Sequence, residues 1–116
     1  MIEIEELKEL VIAAIEDVKG TDIRLLDVKG KTSVTDIMLI VSGNSSRQVN
    51  AIAGNIIEKA KAAGHMPIGV EGEQYGEWVL VDLGDMIVHV MQPSIRDFYN
   101  LEKLWGEDSP AAAEGS

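Results

Sequence analysis

The segment from Glu77 to Met91 constrains the fold most, because it predicts a β-hairpin whose register follows from the sequence. Two β-rich runs flank the dipeptide Gly84-Asp85, which is a strong signal for a two-residue turn. Counting outward from this turn places Trp78 opposite Met91. Because side chains alternate along a strand, the register assigns every residue of the hairpin to one of two faces.

The two predicted faces differ in polarity. The first is purely aliphatic, of the kind that helices cover, and consists of Val79, Val81, Leu83, Met86, Val88 and Val90. The second mixes apolar side chains with an acid, an imidazole and an indole, and consists of Trp78, Leu80, Asp82, Ile87, His89 and Met91. Because a large apolar patch with polar groups is typical of an interaction site, we expect the second face to bind a partner protein. The alternative for Trp78 is a core indole under a helix.

The length and the charge of the chain limit the classes of protein it can belong to. At 116 residues it is long enough for one domain with a single core. The net charge of −10 argues against direct binding to nucleic acid, because such binding needs clustered Lys and Arg. The same charge favours a basic partner. The absence of cysteine excludes disulfides and thiol catalysis.

Signals for a membrane or for secretion are not evident in the sequence. The first residues are acidic and lack the basic segment and the apolar stretch of a signal peptide. No apolar run approaches the roughly 20 residues that a membrane span needs. We therefore expect a cytoplasmic protein that does not enter a membrane.

Periodic apolar residues predict three helices. They recur at helical spacing from Ile4 to Val18 and again from Val49 to Ala60. Ser45 and Gln48 predict a capping box at the start of the second helix. The last helix is expected to begin with Ser94 as its N-cap. Its predicted apolar face consists of Phe98, Leu101, Leu104 and Trp105.

Three further strands are predicted in addition to the two of the hairpin. They run from Ile23 to Val28, from Asp36 to Ser42 and from Pro67 to Val70. The second of them is continuously apolar and therefore belongs inside a sheet. The order α-β-β-α-β-β-β-α predicts an α/β fold with a five-stranded mixed sheet, one face of which stays partly open. Residues 107–116 are expected to form a disordered tail after a domain at residues 1–106.

The turn from Ser42 to Ser46 is the best candidate for a ligand site in the sequence. It follows a strand and precedes a helix, where backbone amides can cradle a phosphate. It lacks both the Lys of a Walker loop and the G-x-G-x-x-G pattern, so an ordinary capped turn is favoured. A nucleotide-binding or nucleotidyltransferase-like enzyme that uses the Gly43 turn stays as the alternative function.

Metal and acid–base sites are not indicated elsewhere. A nucleotidyltransferase needs two or three carboxylates on Mg²⁺, whereas Asp82 and Asp85 straddle the hairpin turn and no Asp-x-Asp lies on a predicted strand. His65 is interpreted as a loop residue. His89 is interpreted as a structural or interface histidine, because no nucleophile-like turn is present. We therefore expect no cofactor, no metal ion and no enzymatic activity.

Four blocks of the sequence are specific in combination. They are Thr35–Val49, Val70–Glu73, Trp78–Met91 and Arg96–Trp105. Together they resemble the ribosomal silencing factor family, also called RsfS or Iojap, over nearly everything from Glu5 to Trp105. The chain departs from the family at Gln48, where His is common, and this departure touches only the capped turn.

The resemblance implies a nucleotidyltransferase-like fold without the catalytic carboxylates. It also implies binding to universal large-subunit protein fourteen, which blocks joining of the small ribosomal subunit and lowers translation when nutrients are short. We expect the partner to meet the second hairpin face. The predicted partner-binding residues are Trp78, Leu80, Asp82, His89, Met91, Arg96 and Tyr99. The alternative for this face is a homodimer surface of the free protein.

Overall fold

A computed structural model describes residues 2–30 and 35–100 of the chain. Its elements are α1 (Ile4–Asp17), β1 (Thr21–Asp27), β2 (Ile37–Ser42), α2 (Ser46–Ala62), β3 (Gly69–Glu71), β4 (Trp78–Asp82), β5 (Met86–Met91) and α3 (Pro93–Tyr99). Their order matches the predicted α-β-β-α-β-β-β-α. No helix within these ranges is long and apolar enough to cross a membrane.

The five strands form one mixed sheet, as predicted, in the order β1-β2-β5-β4-β3. The pair β2 and β5 is parallel, and the other neighbouring pairs are antiparallel. Every residue of β2 and of β5 is buried, which agrees with the prediction that the apolar run ending at Ser42 lies inside the sheet. The hairpin strand β5 is the middle strand of the sheet.

The predicted hairpin register is confirmed. Trp78 pairs with Met91 at the open end, and Asp82 pairs with Ile87 next to the turn. Gly84 has a φ of +90°, a left-handed conformation that glycine adopts without strain. Its amide donates to Oδ1 of Asp82 at 2.9 Å, so the side chain before the turn stabilises the turn itself.

The helices α1 and α2 cover the aliphatic face of the hairpin, as predicted. All six of its side chains belong to the main core, which these two helices complete with residues such as Leu7, Val11, Ile52 and Ile56. The opposite face of the sheet carries a second, smaller cluster of buried side chains. Its members are Leu26, Val28, Met38, Ile40 and Met91, with Trp78 and Ile95 packed against them. Ile95 belongs to α3, so this short helix lies on the second face.

The predicted cap of α2 is confirmed in one of its two bonds. Oγ of Ser45 accepts the amide of Gln48 at 3.1 Å. The return bond differs from a capping box, because Oε1 of Gln48 accepts the amide of Asn44 and not that of Ser45. Nε2 of Gln48 donates to the carbonyls of Val18 and Lys19, so this side chain also stabilises the C-terminal end of α1.

Two strands begin two residues away from the predicted start, and the other predicted boundaries of β1, β2 and β3 lie within one residue of the observed ones. The first strand begins at Thr21 and not at Ile23, because Thr21 pairs with Ser42 across an irregularity that interrupts the register. The third strand begins at Gly69 and not at Pro67. Proline has no amide to donate, so the bond from the Ile68 amide to the Asp82 carbonyl is where pairing with β4 can start.

The predicted cap of the last helix was wrong. Gln92 is the N-cap of α3, without a side-chain cap bond, and Pro93 occupies the first turn. Proline suits that position because its missing amide would have no helical partner there. The predicted apolar face of this helix and the tail at residues 107–116 lie outside the described residues, apart from the backbone of Phe98.

Candidate partner-binding face

The mixed face of the hairpin lies on the side of the sheet opposite to α1 and α2. We call Trp78, Leu80, Asp82, Ile87, His89 and Met91 the hairpin face. The three residues from β4, which are Trp78, Leu80 and Asp82, are half-buried. The three from β5 are buried, with exposed fractions of 8% for Ile87, 6% for His89 and 1% for Met91. The accessible part of this face therefore belongs to β4.

Trp78 contacts two other rings. Its indole Nε1–H donates to Nδ1 of His89 at 3.0 Å, and the two ring centroids are 5.9 Å apart. On α3, the ring of Tyr99 lies 4.8 Å from the indole at an interplanar angle of 49°. Tilted aromatic pairs at such distances are favourable. Strand β5 and helix α3 thus place Trp78 jointly.

His89 is neutral in this arrangement. An indole nitrogen is only a donor, so Nδ1 of His89 must be the acceptor and the ring proton is assigned to Nε2. Burial lowers the pKa of His89 to about 4, because the imidazolium would lose its hydration. At neutral pH the ring is therefore an uncharged hydrogen-bond acceptor.

Arg96 connects α3 to β1 and β2 by hydrogen bonds. It is 7% exposed, and its Nη1 donates to the carbonyl of Asp22 at 2.7 Å and to Oγ of Ser42 at 2.8 Å. A small cavity of about 200 Å³ borders these groups. Tyr99 lies one helical turn after Arg96, so both side chains belong to the same side of α3.

The predicted site residues divide into two groups by exposure. Tyr99 is 52% exposed and joins the half-buried Trp78, so the structure brings these two predicted residues together. His89, Met91 and Arg96 are buried and offer little surface. Their direct contact with a partner stays a prediction, as does that of the accessible residues.

Gly72 is a residue that sequence reasoning missed. It has a φ of +90°, and a Cβ at this position would collide with the carbonyl oxygen of Trp78. A shallow cavity of about 190 Å³ lies beside it, lined by Glu71, Gly72, Trp78 and Leu80. The signal available in the sequence was a glycine between two glutamates. Its closeness to Trp78 depends on the pairing of β3 with β4.

The Gly43 turn is tightly packed and bonds internally. The Gly43 amide donates to the carbonyl of Met91 at 3.0 Å, and the Asn44 amide donates to Gln48. A Cβ on Gly43 would lie 2.9 Å from the Val49 side chain. These two amides are directed at the chain itself, which argues against a phosphate cradle here.

The described part of the chain holds no group of three or more His, Asp or Glu side chains arranged to bind a metal ion. His65 lies in the loop after α2, as predicted, and its Nε2 is 2.7 Å from the carbonyl oxygen of Leu83. This contact joins the loop to the end of β4. The geometry therefore indicates a structural role for His65.

A comparison with protein-family models matches residues 1–115 of the chain to the family described as ribosomal silencing factor during starvation. The chain belongs to this family. The resemblance seen in the four sequence blocks is thereby confirmed. The family's described role is regulatory and not enzymatic.

Individual relatives agree with the family match. A ribosomal silencing factor RsfS from Chromobacterium violaceum is 48% identical over 115 residues, which is 99% of this chain and 94% of the relative. A mouse protein named mitochondrial assembly of ribosomal large subunit protein 1 is 29% identical over 100 residues, which is 84% of this chain and 44% of that protein.

The solved structures support the fold. A crystal structure of a protein from C. violaceum aligns with a TM-score of 0.88 at 49% identity, and covers 90% of this chain and 87% of that one. The α/β fold with its five-stranded mixed sheet is therefore that of the family. The further likeness to nucleotidyltransferases stays a prediction.

Proposed function

We propose that this chain silences ribosomes as a protein-binding module. It binds the large ribosomal subunit through universal large-subunit protein fourteen and blocks joining of the small subunit, which represses translation when nutrients are short. The observation that carries this proposal is the family match over residues 1–115. The action is steric, takes place in the cytoplasm and changes no covalent bond.

The accessible part of the hairpin face supports a protein partner. Trp78 and Tyr99 form an aromatic pair at one end of it, and interface energy concentrates in such side chains. Leu80 adds apolar surface beside them. We propose Trp78, Leu80, Asp82 and Tyr99 as the residues that touch the partner, with His89, Met91 and Arg96 supporting them from below.

Charge supports a basic partner. The chain carries a net charge of −10, Asp82 lies on the same strand as Trp78, and Glu71 pairs with Leu80 from the neighbouring strand β3. The shallow cavity lined by Glu71, Trp78 and Leu80 fits a long basic side chain, whose stem can cover the indole while its charge meets the carboxylate. The name of the mouse relative, which refers to assembly of a large ribosomal subunit, agrees with a partner there.

Co-sedimentation with purified ribosomal subunits tests the proposal. We expect the protein to sediment with large subunits and not with small ones. Trp78→Ala should weaken this binding by about 2 kcal/mol or more, or roughly 30-fold, if Trp78 is an anchor. Met66→Ala is the matched control, since Met66 is a 64% exposed apolar residue in the loop after α2. Equal binding to both subunits, or none, would refute the proposal.

Direct binding to isolated large-subunit protein fourteen tests the finer part. Complex formation that Trp78→Ala weakens as much as it weakens subunit binding would support this partner. Binding to the subunit but not to the isolated protein would move the docking site to another component. The mass of the free protein in solution decides whether a homodimer uses the same face, because Trp78→Ala would then also dissociate it.

A further inference from the structure

The indole of Trp78 makes one directional hydrogen bond. Its other contacts are apolar packing against the buried cluster and a tilted stack with the ring of Tyr99. The bond from Nε1–H to Nδ1 of His89 has a direction, since it weakens steeply when the donor turns away. This bond therefore selects one orientation of the ring.

His89 places a polar ring where burial carries a free-energy cost. It lies on the central strand β5 and is 6% exposed, and the β5 residues on the same face, Ile87 and Met91, are apolar and buried. An aliphatic side chain would fill the same volume without the cost of burying a polar ring. An imidazole differs from an aliphatic side chain in placing an acceptor at Nδ1, and this acceptor receives the indole proton.

We propose that His89 is a positioning residue, which holds the Trp78 indole in the orientation that the partner meets. This inference rests on the proposed function, because it presumes that Trp78 is the anchor. It differs from the prediction that His89 itself touches the partner. Ordering the indole before binding lowers the entropy lost on association, so removing the acceptor weakens the complex without removing any contact with the partner.

Substitutions at His89 can separate the acceptor from the packing. In Asn, Oδ1 takes nearly the place of Nδ1 and can accept the indole proton. Gln carries the same amide one methylene further out, which makes His89→Gln the matched control for His89→Asn. His89→Leu fills the space without any acceptor.

Nuclear magnetic resonance of the free protein detects the hydrogen bond between Trp78 and His89 directly. The chain contains two tryptophans, and Trp78→Phe assigns the Trp78 indole signal by removing it. We expect the indole N–H to exchange with solvent roughly fivefold faster in His89→Leu, which corresponds to the loss of one net hydrogen bond. His89→Asn should stay within about twofold of the wild type by the same scale. Equal exchange rates in the wild type and in His89→Leu would overturn the proposal.

The affinity for large subunits shows whether this hydrogen bond matters for binding. We expect His89→Leu and His89→Gln to bind roughly fivefold more weakly and His89→Asn to bind nearly as the wild type does. In the Trp78→Phe background, which lacks the indole donor, His89→Leu should have almost no further effect. If His89→Asn lost as much affinity as His89→Leu, or if the two changes were additive, His89 would be structural only.

The design distinguishes failure of this inference from failure of the proposed function. Subunit binding that is lost in Trp78→Ala but unchanged in His89→Leu overturns the positioning role and leaves the docking face intact. Subunit binding unchanged in Trp78→Ala overturns the docking face itself and, with it, the positioning role.

Discussion

The two faces of the β4–β5 hairpin share the same strands, turn and register, yet they have different surroundings. The aliphatic face is closed by α1 and α2, and none of its side chains is more than 1% exposed. On the other face, the side chains from β4 stay half-buried, and α3 covers only part of the surface. Alternating residues of one hairpin therefore differ in exposure, and we accordingly assign the aliphatic face to folding and propose the other for docking.

The difference between the faces has an energetic meaning. Burial of a Val or Leu side chain contributes about 1.5 to 3 kcal/mol, so the aliphatic face supplies a large share of the stability of a small domain. Half-buried residues such as Trp78 and Leu80 retain surface that a partner can bury later. Substitutions on the two faces should consequently affect different measurements.

A charge placed on each face should give the largest contrast. Val81 is fully buried under the helices, whereas its neighbour Leu80 is half-buried. We expect Val81→Asp to lower the free energy of unfolding by about 4 kcal/mol or more, because it buries an unpaired carboxylate. Leu80→Asp should fold and lose subunit binding. Urea denaturation and co-sedimentation measure the two effects. Equal free energies of unfolding for Val81→Asp and Leu80→Asp would show that the faces are assigned incorrectly.

Acidification should destabilise the wild type through His89. Its pKa is lowered from 6.5 to about 4 in the folded protein, so between these values the unfolded chain binds more protons and stability falls as the pH falls. The contribution present above pH 6.5 is about 3 kcal/mol and is lost on reaching about pH 4. Denaturation of the wild type and of His89→Asn across this window isolates it, since the variant lacks the titrating group. Parallel curves would contradict the buried neutral imidazole.

Removing two methyl groups from the aliphatic face should change the free energy of unfolding and leave the affinity for large subunits unchanged. Val88 lies on the central strand and is fully buried. We expect Val88→Ala to lower the free energy of unfolding by about 1 to 3 kcal/mol through lost burial and a cavity. Its affinity for large subunits should equal that of the wild type at a temperature where both are folded. A weaker affinity of the folded variant would show that the aliphatic face takes part in docking.

Neutralising one carboxylate of the hairpin face should have the smallest effect. Asp82→Asn keeps an acceptor for the Gly84 amide but removes the charge. We expect subunit binding to weaken by about 0.5 to 1 kcal/mol, and more at low salt, where a basic partner is screened least. Asp85→Asn is the matched control, because Asp85 is exposed at the tip of the turn. Equal effects of both variants would mean that subunit binding depends on the net charge of the chain and not on the position of Asp82.

Local signals in the sequence were sufficient for the hairpin. The Gly84-Asp85 turn and strict alternation determine its register, and the same alternation identified the side that the helices cover. The family resemblance was likewise carried by contiguous blocks of sequence. Such features depend on neighbours within a few residues and so can be predicted from the chain alone.

Long-range packing could not be predicted in the same way. Arg96 is buried and bonds to Asp22, 74 residues earlier, and Tyr99 on the same helix contacts Trp78. The burial of His89 and the collision that keeps Gly72 a glycine also depend on strands or helices distant in sequence. The sequence therefore predicted the face correctly as a surface of mixed polarity, but not which of its residues are accessible.

Subunit joining tests the central claim that one hairpin face docks while the other folds the chain. Large subunits are incubated with the wild type, Trp78→Ala or Val88→Ala, small subunits are added, and the assembled ribosomes are measured by sedimentation. We expect the wild type and Val88→Ala to prevent assembly equally, and Trp78→Ala to allow it at the same protein concentration. Blocking by Trp78→Ala as complete as that by the wild type, or a failure of the wild type to block, would contradict the account.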